Sequence, residues 1–191
     1  IEAHKKSKIC PLALYISLLL PIIEIDCDRQ YCLCKEGQKM KTRRCFFIGH
    51  RDTPEDILYA LRMAIEKHIT RFGVEEFVVG GYGAFDKYAR IALLEAKKQY
   101  PQIVLIQLEP FQSSGRAVKL WPEFNGIFCP PIPPNTPKRM AIVKANQYMV
   151  EHSDFLIACT WKQGNAKRIM DYASKHRLCS IDDLGYDLSL S

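Results

Sequence analysis

The sequence predicts an α/β protein, a Rossmann-like three-layer sandwich around a mostly parallel sheet. From residue 45 onward, apolar runs of four to six residues alternate with stretches of helical periodicity. That alternation is the pattern of a parallel sheet with crossover helices, whose strands are covered on both faces. No internal repeat and no linker interrupts it, so residues 40–191 read as one domain.

Cys45-Phe46-Phe47-Ile48-Gly49 is the first buried strand. Thr53-Pro54-Glu55-Asp56 then opens a helix: Thr53 can cap, Pro54 at the first helical position loses no hydrogen bond, and two carboxylates face the positive end of the dipole. Its apolar face is Ile57, Leu58, Leu61, Ala64, Ile65, Ile69 and Phe72, and Gly73 ends it. Phe77-Val78-Val79 is the second strand. Gly80-Gly81-Tyr82-Gly83 turns it into a helix with Phe85, Ala89, Ala92, Leu93 and Ala96 on one side. A third strand spans 103–108 between Pro101 and Pro110, and a long proline-rich stretch around Trp121, Phe124 and Phe128 follows, with a short strand at 126–129. Loops this long in a compact domain usually serve function. The reading closes with a helix at 138–152, a strand at 154–160, a helix at 166–176 and a last strand at 178–181.

Of 191 residues, 48% are hydrophobic and 25% charged, which excludes disorder and collagen-like structure. The longest apolar run, 9–25, is broken by Pro11, Pro21 and Glu24, short of the roughly eighteen uninterrupted residues of a membrane span, so no membrane partner is expected. A formal net charge of +6 suits an anionic ligand or nucleic acid without demanding either. Residues 1–39 differ in kind, with a basic start, the broken apolar run and then a polar stretch with Cys27, Cys32 and Cys34. Met40 followed by Lys41-Thr42-Arg43-Arg44 and a strand reads as a natural start, which makes residues 1–39 an upstream or non-native extension. The three clustered cysteines lack a fourth ligand at zinc spacing, so no metal site is assigned. Cys45, Cys159 and Cys179 sit in or beside apolar runs, as reduced thiols of a cytoplasmic protein do.

Open parallel sheets bind ligands beyond the carboxyl ends of their strands, near the switch in strand order. Three unusual segments fall there: Gly49-His50-Arg51-Asp52, Gly80-Gly81-Tyr82-Gly83-Ala84-Phe85-Asp86, and Trp161-Lys162-Gln163-Gly164-Asn165. The glycines permit positive φ and close approach to a ligand, and the amides of the following helix face an anion. Arg51 can fork onto a phosphate; His50 can donate to a ligand hydroxyl or move a proton. Trp161 offers a flat face to a base, while Gly164-Asn165 opens a second helix. Asp86 points from the first turn of its helix toward the same mouth, or serves the helix dipole. Lys138, Arg139 and Asn146 are further candidates for the rim.

These segments, with Ser153-Asp154-Phe155-Leu156-Ile157-Ala158, resemble the small YpsA-like branch of the SLOG superfamily over most of residues 44–182. The superfamily joins the Smf/DprA DNA-processing proteins and the LOG phosphoribohydrolases. The resemblance implies a Rossmann-like domain whose His50, Arg51, Gly80–Gly83 loop and Asp86 line a nucleotide pocket. LOG enzymes carry Pro-Gly-Gly-x-Gly-Thr-x-x-Glu; here Val79 replaces the proline, Ala84 the threonine and Lys87 the glutamate. Asp86 stands one residue away, about 100° around the helix. The expected function is therefore binding of a nucleotide or nucleotide-derived small molecule, in a sensing or regulatory role and with no cofactor. The alternative is a nucleotide-directed N-glycosidase in which Asp86 and His50 are catalytic. Further candidate partners are a second copy of the chain and single-stranded DNA.

Overall fold

The computed structural model describes residues 42–111 and 118–185, all within one folded unit. The extension expected over residues 1–39, with its cysteines, lies outside the described residues. Ten elements follow in the order β1 (Arg44–Gly49), α1 (Ile57–Thr70), β2 (Glu76–Val79), α2 (Ala84–Gln99), β3 (Val104–Leu108), β4 (Gly126–Phe128), α3 (Lys138–Glu151), β5 (Phe155–Cys159), α4 (Asn165–His176) and β6 (Ser180–Asp183). The six strands form one sheet, ordered β4-β3-β2-β1-β5-β6 and parallel at every pairing. The strand order reverses between β1 and β5, which locates the switch point.

Alternation along each strand builds two cores. Cys45, Phe47, Phe77, Val79, Leu105, Ile157 and Cys159 meet α1 and α2 through Leu61, Ile65, Phe85 and Leu93. Phe46, Ile48, Val78, Ile106, Leu156 and Ala158 meet α3 and α4 through Met149, Val150 and Ile169 on the other face. Full burial of each large side chain contributes about 1.5–3 kcal/mol.

Several boundaries differ from expectation, each because a polar group found a partner. Helix α1 begins at Ile57, not at Pro54 with Thr53 as its cap: the Thr53 hydroxyl donates to the His50 carbonyl at 2.7 Å, and Asp56 stands at the helix start without a side-chain cap bond. Its buried stripe includes His68, whose ring lies 2.7 Å from the Ala64 carbonyl and edge-on to Phe72 and Phe155. Ile69 and Phe72 are only partly buried. Strand β2 gains Glu76 because Arg44, its register partner on β1, binds its carboxylate. Strand β6 begins two residues later than expected, at Ser180. Arg177 leaves α4 in the left-handed conformation (φ 49°) and the Leu178 amide returns to the Ala173 carbonyl, so Leu178 and Cys179 are taken up in packing the turn.

Gly49, the last residue of β1, admits the ring of Phe85 from α2. A Cβ on Gly49 would lie 2.2 Å from the Phe85 Cγ. Gly49→Ala should therefore cost on the order of 1–3 kcal/mol by overpacking. Gly126→Ala on β4 meets its nearest neighbour, Ile106 Cδ1, at an ordinary 3.6 Å and should stay within about 0.5 kcal/mol of the parent. Urea unfolding of the two variants measures both.

Candidate functional site

The chain turns sharply as it leaves β1. The His50 carbonyl accepts from both the hydroxyl and the amide of Thr53, and the His50 amide donates to the Cys159 carbonyl at 3.3 Å. The next residue, Arg51, accepts from the amide of Ala84, the first residue of α2, at 2.8 Å. These bonds hold the His50-Arg51 step against β5 on one side and the start of α2 on the other. A Lys162–Asp52 ion pair joins the loops after β5 and β1 across the same mouth.

His50 is 6% exposed. Its ring meets Trp161 edge-on at 4.6 Å, and the Nε2 atom is buried without a hydrogen-bond partner. Burial holds its pKa below the ordinary histidine value. A buried polar nitrogen left unpaired costs about 1–3 kcal/mol, and such an atom in a folded protein calls for a partner such as a water, an ion or a ligand. The ring also lies against Gly164, which starts α4: a Cβ there would fall 3.2 Å from His50 Cε1.

The glycine loop corrects one expectation. Gly73 is the positive-φ glycine among the described residues; Gly83 is extended. What the loop glycines permit is close packing within the protein, since a Cβ would lie 3.0 Å from the Asp86 carboxylate at Gly80, 2.9 Å from Trp121 at Gly81 and 2.9 Å from the Arg51 Cα at Gly83. Asp86 reaches back to accept the Tyr82 amide at 2.8 Å, satisfying an amide just ahead of the helix. Burial raises its pKa to about 6, opposed by that hydrogen bond and by the charge of Arg51. Tyr82 donates through its hydroxyl to Glu109 at 2.9 Å, and burial raises the pKa of both groups.

Gly80, Gly81, Gly83, Asp86, Lys87, Arg90 and Trp121 enclose a cavity of about 190 Å³. Nothing in the sequence marks Lys87 or Arg90 as a site residue: Arg90 lies one helical turn beyond Asp86 on the same face, and Lys87 about 100° around the axis. Trp121 was legible as an aromatic but not as a neighbour of Gly81. It reaches the cavity because the Gln107 side chain accepts its backbone amide at 3.0 Å, folding the proline-rich stretch over the end of β3. Of the other expected residues, Asn165 is exposed at the first position of α4, and Lys138 reaches the rim with its ammonium 5.6 Å from the Phe111 ring. Arg139 is exposed beside it. Asn146, eight residues into α3, lies about 12 Å along the axis from the helix start and away from the mouth.

A larger depression of about 450 Å³ opens at the opposite end of the sheet between Arg44, Glu151, His152, Ser153, Asp154 and Leu178. Its charged groups are committed within the fold, Arg44 to Glu76 and Glu151 to Tyr172. No cluster of His, Cys, Asp or Glu among the described residues is arranged to hold a metal, and no described helix is long and apolar enough to cross a membrane.

Fold and site together define a Rossmann-like α/β domain with its mouth at the switch point. No protein family and no curated protein matches the chain. Solved structures do. DNA processing protein A from Helicobacter pylori, described for its single-stranded DNA binding mode, matches with a TM-score of 0.51 and 16% identity over 73% of this chain and 64% of that one. DNA processing protein A from Streptococcus pneumoniae matches at 0.50 and 11% identity, over 79% and 62%. A molybdenum cofactor binding protein from the phototrophic bacterium Rippkaea orientalis matches at 0.49 and 19%, over 80% and 82%. The chain spans under two thirds of the two DNA-processing chains, and shares with them the fold that the resemblance to their superfamily implied.

Asp86 gives a pH test with a definite sign. Its folded pKa of about 6 lies above the ordinary 3.8, so the stability tied to its protonated form is complete below pH 3.8 and lost as pH rises through 6. Asp86→Asn retains an acceptor for the Tyr82 amide and carries no charge. Its stability relative to the parent should rise from near zero in acid to roughly 2–3 kcal/mol above pH 7, at about 1.4 kcal/mol per pKa unit. Denaturant unfolding at several pH values measures the difference; a gap that stays constant with pH would contradict it.

Proposed function

We propose that this chain binds a nucleotide or nucleotide-derived small molecule across the carboxyl end of its sheet, as a cytoplasmic sensor or regulator. The observation that carries the reading is His50: a buried imidazole nitrogen without a partner, at the switch point, beside a helix start that has no side-chain cap. The surroundings supply what an anionic, partly aromatic ligand needs. Arg51 is exposed at the mouth, Lys87 and Arg90 line the adjoining cavity, and Trp121 and Trp161 stand on either side. Cys45 and Cys159 are buried thiols, in keeping with a reducing compartment.

A second reading is favoured by Asp86. A carboxyl with a pKa near 6 at the edge of a cavity is poised for proton transfer near neutrality, as a nucleotide N-glycosidase would require. Two features weigh against it: the Asp86 carboxyl is engaged by the Tyr82 amide, and Lys87 stands where the LOG motif has its glutamate.

The test is a thermal-shift screen of the full chain against nucleoside monophosphates, nucleotide sugars and NAD-related compounds, with each mixture also chromatographed for free base. A ligand at 100 times its Kd adds about 2.7 kcal/mol to stability, so a saturating nucleotide should raise Tm by several degrees and leave intact. Arg51→Ala should abolish the shift, with its own ligand-free melting curve confirming a folded chain. Free base that ceases to form in Asp86→Asn would establish the glycosidase instead. No shift with any nucleotide would refute both readings.

A further inference from the structure

The mouth has two matching halves. On the β2 side, α2 starts at Gly83 without a side-chain cap, and Trp121 packs on Gly81 with the Arg90 guanidinium 4.9 Å from its ring centre. On the β5 side, α4 starts at Gly164 without a side-chain cap, and Trp161 packs on His50 with the Lys162 ammonium 5.4 Å from its ring centre. Each half thus offers a glycine-led helix start and a cation set against an indole, Lys162 being paired also with Asp52. Between them runs the His50-Arg51 step, in contact with Gly164 through His50 and with Gly83 through Arg51. Parallel strands lie about 4.8 Å apart, so the ends of β2 and β5 are separated by two spacings, about 10 Å. The buried Nε2 of His50 lies at the join.

From this duplication we propose that the ligand is a dinucleotide: two nucleosides joined through a phosphate bridge, one base against Trp121, the other against Trp161, and the bridge over His50 and Arg51. The proposal rests on the reading of this mouth as a nucleotide site. A mononucleotide would fill one half and leave the other half's indole and helix start to water. A ligand that spans both halves gains the second set of contacts without a second loss of translational freedom. The anionic bridge falls where two helix dipoles and Arg51 converge.

The chain contains two tryptophans, one in each half, and so carries its own reporters. In Trp121→Phe the remaining fluorescence reports the β5 side; in Trp161→Phe it reports the β2 side. Titration of each full-length variant with NAD⁺ and with diadenosine diphosphate should change the emission of both at a common midpoint. Affinity for the parent chain should exceed that of AMP or nicotinamide mononucleotide at least about ten-fold. His50→Ala should weaken the dinucleotides in both reporters, with its own melting curve confirming a folded chain. If AMP binds as tightly as the dinucleotides, or only one tryptophan responds, the two-half arrangement is wrong while the nucleotide site stands. If no nucleotide changes either emission, both fail. If oligothymidylate moves both tryptophans and the dinucleotides move neither, the mouth reads a single strand and the proposal is overturned.

Discussion

At the end of β1 the chain packs too tightly to admit a Cβ, and the rest of the mouth is placed by it. Gly49 has no side chain, so the Phe85 ring enters the space a Cβ would fill, and this seats the first turn of α2 against the central strand. With α2 so placed, the Ala84 amide reaches the Arg51 carbonyl and Gly83 passes within a backbone's width of Arg51. The same step is tied to β5 through the Cys159 carbonyl. A residue of any size at Gly49 would push α2 outward and separate the groups that face one another here.

Around that join the protein spends its polar groups unevenly. At the far side of the mouth Asp183 is fully engaged: it accepts from the Thr160 amide and hydroxyl and from the Gly185 amide, fixing the end of β6 beside that of β5. Gly185 in turn packs so closely on the Thr160 backbone that a Cβ would lie 2.5 Å from its nitrogen. His50, two strands away, has one ring nitrogen unpaired in a place water does not reach. A fold that satisfies Asp183 three times over and leaves His50 incomplete is one whose rigid frame surrounds an unfinished polar position. Unpaired buried groups of this kind are expected at sites of function more than at random.

The fold was legible because its signals are local. Buried parallel strands read as short apolar runs, and α2 shows its stripe of Phe85, Ala89, Ala92 and Leu93 without help from any neighbour. Errors fell where a polar residue belongs to an element by virtue of a distant partner. Glu76 joins β2 through Arg44, thirty-two residues earlier, and Asp182 lies in β6 with its carboxylate on Lys67 of α1. His68 completes the apolar stripe of α1 at the correct helical spacing, but its side chain does not announce burial; only the Ala64 carbonyl and two aromatic rings make it acceptable there. The glycine loop is visible in the sequence, but its packing role is not. Its glycines make room for Asp86, Trp121 and Arg51, where conformational freedom at positive φ was expected.

The order of strands and helices, to within a few residues at their ends, and the segments that stand at strand ends are legible in the chain alone, because periodicity and glycine placement are properties of short stretches of chain. The sequence thereby assembled Gly49 to Arg51, Gly80 to Asp86 and Trp161 to Asn165 as candidates. The tertiary structure decided how they meet: that Trp121 folds back onto Gly81, that Lys87 and Arg90 line the cavity, and that His50 is buried with one nitrogen unmatched. Those facts depend on strand order and on contacts between residues dozens of positions apart. A pattern with a period of two or 3.6 residues holds no information about either.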